Sequence, residues 1–144
     1  MSERTIEIAA LQQTPFFAEL PSEDLDAIVA VGRGASYETG ASIVAEGDKA
    51  DGMYVVVSGE ARVDVGGRFH ILKSGDFFGE MALIAPSKRM ATVKAVGQVE
   101  VLMIPADGFQ SFLLAHPRVA VAMLKAIVLR LREVEQRVDA WMAT

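Results

Sequence analysis

The chain has no cysteine. Disulfides, thiol nucleophiles and thiolate metal sites are therefore excluded. Histidine offers no substitute: His70 stands on a strand-like segment with no second histidine at metal-ligand spacing, so it reads as a solvated side chain. Long hydrophobic runs are missing as well, each being broken by charge or glycine well short of the about 18 residues that span a bilayer. The segment Ser2-Glu3-Arg4-Thr5-Ile6-Glu7 has neither the basic flank nor the apolar centre of a secretion signal. These absences agree with a cytoplasmic location and give no membrane partner. Excess positive charge is also lacking, since the net charge is −5. A surface that grips nucleic acid by its phosphates needs clustered lysine and arginine, so this chain alone is not expected to bind nucleic acid.

What is present suits one domain over residues 1–144, with 51% hydrophobic residues to fill a core. The charge is uneven: residues 1–60 carry eleven acids and three bases, residues 61–116 five and six, and residues 117–144 three and five. An acidic domain that binds an anion must rely on a local positive group rather than on long-range attraction.

Two short helices are expected first, within residues 5–31, with Ser22 as the cap of the second and Glu23, Asp24 and Asp26 at its positive end. From about 35 to 104 glycines punctuate short β-branched runs. Ala61-Arg62-Val63-Asp64-Val65 alternates at the strand period, and Gly66-Gly67 forms a two-residue hairpin into Phe69-His70-Ile71-Leu72. Ala91 to Val96 and Val99 to Ile104 read as two strands separated by Gly97-Gln98. Seven or eight short strands with tight turns imply a mainly β, α+β fold built on an antiparallel roll. Beyond Pro105 two helices are expected, Asp107 to Leu114 and Pro117 to Met142. In the second, Leu124, Ile127, Leu131, Val134, Val138 and Trp141 recur at alternating spacings of three and four, forming one apolar stripe. That stripe docks on its own domain, pairs with a second copy of the chain, or does both along its length.

The chemistry concentrates in Gly75-Asp76-Phe77-Phe78-Gly79-Glu80-Met81-Ala82-Leu83-Ile84 and Arg89-Met90-Ala91-Thr92-Val93. One carboxylate and one guanidinium sit around a glycine-started turn in an apolar stretch. Glu80 can accept from a ribose hydroxyl, and Arg89 offers a phosphate a planar cationic fork. Gly79 permits close backbone approach, and Glu80 to Ile84 read as a short helix whose free N–H groups point at the phosphate. Asp76 reads as a turn cap, and Met81, Leu83, Val93, Phe77 and Phe78 as packing. No nucleophile and base, metal cluster or carboxylate pair accompanies the segment, so a binding role without catalysis and without a cofactor is expected.

These residues resemble the phosphate-binding cassette, here 78–93, of cyclic nucleotide-binding domains found in the bacterial catabolite activator family, protein kinase regulatory subunits and cyclic nucleotide-gated channels. Phe78-Gly79-Glu80-Met81-Ala82-Leu83 and Arg89-Met90-Ala91-Thr92-Val93 match the fixed positions of that pattern, while Lys88 stands where the family often has proline. The segments 11–25, with Pro15-Phe16-Phe17, and Tyr54-Val55-Val56-Val57-Ser58-Gly59-Glu60 extend the match. The resemblance implies a bacterial-type stand-alone sensor with a jelly-roll-like β-roll, N-terminal helices and a long C-terminal helix. It implies a ligand held by Gly79, Glu80, Met81, Ala82, Arg89, Met90, Ala91 and Thr92, with Val63 and Leu72 as apolar walls. The helix would close over the base, and Arg132, Val134, Glu135 or Trp141 is the lid candidate.

Met90 selects between nucleotides. Relatives that favour cyclic GMP commonly have threonine after the arginine, whose hydroxyl can bond the guanine amino group; a thioether is only a weak acceptor, so cyclic AMP is expected over cyclic GMP, with Thr92 as a nearby hydroxyl. A homodimer through the terminal stripe is one assembly that the stripe allows, with the effector unread. The alternatives are the sensing part of a Crp/Fnr-type transcriptional regulator whose DNA-binding domain is absent, and a ligand-free interaction module.

Overall fold

A computed structural model describes residues 2–143, the side chains of Trp141 and Ala143 excepted. Helices α1 (Glu3–Gln13) and α2 (Ser22–Val31) lead in. Ser2 caps α1, its hydroxyl accepting from the Thr5 amide at 3.2 Å. At α2 the expected cap moves back one residue: Pro21 holds the extended cap position and Ser22 becomes the first helical residue, with no side-chain cap bond. Proline suits that position, because its fixed φ matches the extended backbone and no N–H is lost from the helix.

Six strands follow: β1 (Arg33–Tyr37), β2 (Ser42–Val44), β3 (Gly52–Val65), β4 (Arg68–Leu72), β5 (Phe77–Phe78) and β6 (Thr92–Pro105). They form one antiparallel sheet in the order β1-β6-β3-β4, with β2 added to β6 and β5 to β3. There are fewer strands than the sequence suggests because β3 and β6 run for 14 residues each. The runs on either side of Gly97-Gln98 are a single strand. Gly97 (φ 73°) and Gly59 (φ 82°) sit at a slip in register, where Ser58 pairs with Glu100 but Glu60 pairs with Val96. A Cβ on Gly59 would collide with the Gln98 carbonyl. Such irregularities bend and twist a pair of strands, which lets a long ribbon curl into a roll. Gly66-Gly67 makes the expected hairpin, with φ of 55° and 79° between paired Val65 and Arg68.

The run Gly52–Val57 is wholly buried because both faces of β3 are covered. Met53, Val55 and Val57 face the helices, packing with Leu11, Phe16, Phe17, Leu25 and Ile28. Tyr54 and Val56 face the inside of the roll, with Ile43, Val63, Leu72, Val93 and Val99. The Thr14 hydroxyl, fully buried, shares its proton between the carbonyls of Ala10 and Gly75 at 3.0 Å each, which fastens α1 to the turn before β5.

After the roll, α3 (Phe109–Ala115) and α4 (Pro117–Ala143) meet at an elbow of 109°. α3 begins two residues later than expected because Gly108, left-handed at φ 78°, occupies its cap. Val119 and Met123 anchor the first turns of α4 in the core, and Arg118 donates to the buried Asp24 of α2 at 2.7 Å and to Glu23. Further along, Leu124, Ile127, Leu131, Val134 and Val138 are 40–61% exposed. The apolar stripe is therefore a separate face from the one that docks on the domain. No single described helix is long and apolar enough to cross a membrane.

Candidate functional site

β5 presents the cassette. Phe77 and Phe78 pair with Val55 and Tyr54 of β3, and Phe78 stacks on the Tyr54 ring at 5.0 Å and 5°. Gly79 then turns the chain at φ 79°, and a single 3-10 turn, Glu80–Leu83, replaces the longer helix expected to Ile84. Its buried residues are Ala82 and Leu83, whereas Met81 is 67% exposed and packs little, contrary to expectation. Turn geometry explains this: with three residues per turn, Met81 points away from the side that Ala82 and Leu83 bury. The Ala82 amide donates to the Gly79 carbonyl at 3.1 Å, which leaves the amides of Glu80 and Met81 as the leading donors of the turn. Asp76 caps as expected, accepting from the Lys73 amide at 2.7 Å.

Arg89 is 6% exposed. Its backbone is clamped from both sides: its amide donates to Asp48 at 2.7 Å and its carbonyl accepts from Gly47 at 2.9 Å. Nη2 donates to Asp51 Oδ1 and to the Gly52 carbonyl, both at 2.9 Å. Nη1 is buried without a partner. It lies against Gly79 so closely that a Cβ there would collide with it. The guanidinium carbon stands 5.5 Å from the Tyr54 ring. Burial and the charge of Asp51 push the Tyr54 phenol up to about 12, so it stays neutral.

Glu80 does not turn into open solvent. Its Oε1 accepts from Arg130 Nη1 of α4 at 2.6 Å, and the Arg130 guanidinium lies 5.2 Å from the Phe77 ring and 6.0 Å from Phe16. α4 therefore touches the cassette through a residue that the sequence did not single out.

A cavity of about 200 Å³ joins these parts, lined by Gly79, Glu80, Met81, Ala82, Arg89, Met90 and Ala91, with Val63, Val44, Val93 and Phe78 as its apolar wall and Lys88 and Ser87 at the rim. Eight of the expected contacts thus meet at one place. Leu72 and Thr92 do not. Leu72 is buried within the roll, and the Thr92 hydroxyl accepts from the Glu46 amide at 3.0 Å, bracing the turn beside the cavity. Among the lid candidates, Arg132, Val134 and Glu135 are exposed and none lines the cavity; the Trp141 side chain lies outside the described residues. Asp51, Arg130 and Lys88 are the participants that sequence reasoning missed. Lys88 was visible as the residue before the arginine. Asp51 and Arg130 lie 38 and 50 positions from their partners, and only folding joins them.

The chain matches the family model for the cyclic nucleotide-binding domain over residues 35–116. It is 35% identical over 106 residues to a cAMP-dependent protein kinase regulatory subunit of Yarrowia lipolytica, covering 72% of this chain and 28% of that subunit. The chain therefore spans only about a quarter of the curated relative's length. Among solved structures, it is similar to the N-terminal domain of a transcriptional regulator from Streptomyces coelicolor A3(2), with a TM-score of 0.79 and 30% identity over 90% of this chain and 94% of that one. It is also similar to the regulatory domain of Toxoplasma gondii PKA in co-crystal with cAMP, with a TM-score of 0.65 and 26% identity over 77% of this chain and 45% of that one.

Proposed function

We propose, since the chain belongs to the cyclic nucleotide-binding domain family, that its cavity senses cyclic AMP in preference to cyclic GMP and binds it without catalysis. The observation that carries this reading is the Arg89 side chain, with one guanidinium nitrogen held by Asp51 and Gly52 and the other buried and unpaired beside Gly79. A buried charged N–H with no acceptor is costly, and a phosphate oxygen would satisfy it. The amides of Glu80 and Met81, with those of Met90 and Ala91, complete the phosphate cradle. Glu80 accepts from the ribose hydroxyl, and Val63 with Val44 and Val93 forms the wall. Ala82 contributes shape, and Leu72 and Thr92 support the site from behind. Met90 offers the guanine amino group only a weak thioether acceptor, which favours adenine. The cAMP-dependent kinase subunit and the cAMP co-crystal among the similar proteins support the same choice.

The same reading couples the ligand to α4. A ribose hydroxyl and Arg130 compete for one carboxylate, so the ligand favours the arrangement in which Arg130 has let go. The cavity of about 200 Å³ falls below the roughly 300 Å³ at which ligand pockets usually begin, so the base needs a cover. Arg132, Val134, Glu135 and Trp141, which follow Arg130 along the sequence of α4, are the candidates for that cover. The exposed stripe of α4 suits a homodimer.

The test is calorimetry with cyclic AMP and cyclic GMP on the wild type, Arg89→Ala and Arg89→Lys. Wild type is expected to favour cyclic AMP by about ten- to a hundredfold, and Arg89→Ala to lose about 2–5 kcal/mol. Equal affinity in wild type and Arg89→Ala would overturn the assignment, and no response to either nucleotide would leave the interaction-module reading. A second reading, the sensing part of a Crp/Fnr-type transcriptional regulator, is favoured by the similarity to a regulator's N-terminal domain. DNA binding by the complete protein, gated by cyclic AMP, would establish it.

A further inference from the structure

Away from the cassette, a cavity of about 490 Å³ opens between α1 and the edge strand β1. Three carboxylates and a hydroxyl line it: Glu3 and Glu7 from α1, Ser36 from β1 and Glu100 from β6, with no basic side chain among the described lining residues. Glu100 and Ser36 are partners in the β1–β6 register. Glu7 is only 8% exposed, and among the described residues its carboxyl forms no hydrogen bond or ion pair. Gly34 leaves the space, since a Cβ there would stand 3.2 Å from Glu3 Oε1 and 3.2 Å from Glu7 Oε2. Two acids therefore converge over a bare strip of backbone. Burial, and then the negative charge of Glu3, push the Glu7 carboxyl above its ordinary range.

A carboxylate that a largely buried residue turns into a cavity, with a second acid and no base beside it, favours a proton or a cation. A proton needs no cavity, and this cavity is as roomy as a small ligand requires. A bare metal ion fits poorly, because no described acids are grouped closely enough to hold one. A planar guanidinium has several donors spread along its edges and is matched by carboxylates set apart from one another. We propose that this notch binds a guanidinium group, with Glu7 and Glu3 as its principal acceptors and Glu100 and Ser36 at its other edge. The eleven acids of residues 1–60 add a general attraction for such a cation. The group belongs either to a free small molecule or to an arginine side chain of a partner protein. The site is independent of the nucleotide cavity.

The experiment follows thermal stabilisation of the whole chain at low ionic strength. The probes are agmatine, an arginine-containing tripeptide and the same tripeptide with neutral citrulline in place of arginine. A saturable stabilisation by agmatine or the arginine peptide, absent with citrulline, is expected. Glu7→Gln, which keeps the shape, should weaken it by about tenfold or more, and Glu3→Gln serves as the second variant. Both should bind cyclic nucleotide as wild type does. Agmatine and the arginine peptide acting equally would identify a small-molecule source, and a clearly tighter peptide a protein source. The proposal is overturned by no saturable response to either probe, by a citrulline response equal to that of arginine, or by responses unchanged in both variants.

Discussion

Gly79 is the position where one methyl group does most harm. Its φ of 79° is left-handed, and the added carbon would strike Arg89 Nη1 while standing 3.0 Å from the Gly52 carbonyl. Gly79→Ala is expected to cost about 1–3 kcal/mol of stability by backbone strain, read by urea unfolding, and to abolish most nucleotide affinity by displacing the guanidinium. Retained affinity would mean that the arginine does not need this seat. Glu7 gives a prediction with a definite sign. A carboxyl held above its unfolded value favours the folded state fully at pH below about 4.5, and that contribution is lost as pH rises through the folded value. Glu7→Gln removes this dependence, so its stability relative to wild type should increase from pH 4 to neutrality in paired urea melts. At this scale the sequence disclosed Glu80 and Arg89 because their motif is local. It hid Asp51 and the buried position of Glu7, since burial is decided by segments far along the chain.

Among elements, the contact between α4 and the 3-10 turn is the one open to direct test. The Glu80–Arg130 pair is 20% and 53% exposed at its two side chains, so its coupling is expected near the roughly 0.2–1 kcal/mol of solvent-accessible pairs. Arg130→Ala should free Glu80 for ribose and raise cyclic nucleotide affinity by up to about fivefold, while hydrogen exchange in the second half of α4 speeds up without ligand. A fall in affinity would instead make Arg130 part of the ligand's own grip. The presence and order of the helices and the hairpin at Gly66-Gly67 were readable from periodicity and paired glycines, whereas the starts of α2 and α3 moved by one or two residues because Pro21 and Gly108 took the cap positions. The unity of β6 was not, because a glycine that bulges a strand and one that ends it look alike until the pairing of Glu60 with Val96 is known.

At the scale of the molecule, the proposed homodimer rests on the undocked face of α4. Leu131, 56% exposed, lies mid-stripe, and Leu131→Glu is expected to convert a dimer to a monomer in sedimentation equilibrium while leaving the cavity intact. A wild type that is monomeric at high concentration would remove the dimer. The roll itself was legible because its glycines, hairpin and cassette all favour the same curled sheet. How α4 lies against it was not, since one amphipathic pattern serves a docked and a paired helix alike.

α4 is held at its root by Arg118 on Asp24 and touched again at Arg130 by Glu80. At about 1.5 Å per residue, the second contact lies roughly 18 Å from the first and the far end roughly 37 Å from it. With the coupling proposed above, the helix would be a lever with its fulcrum at the α3–α4 elbow, and a stroke applied at the cassette would emerge at the tip about twice as large.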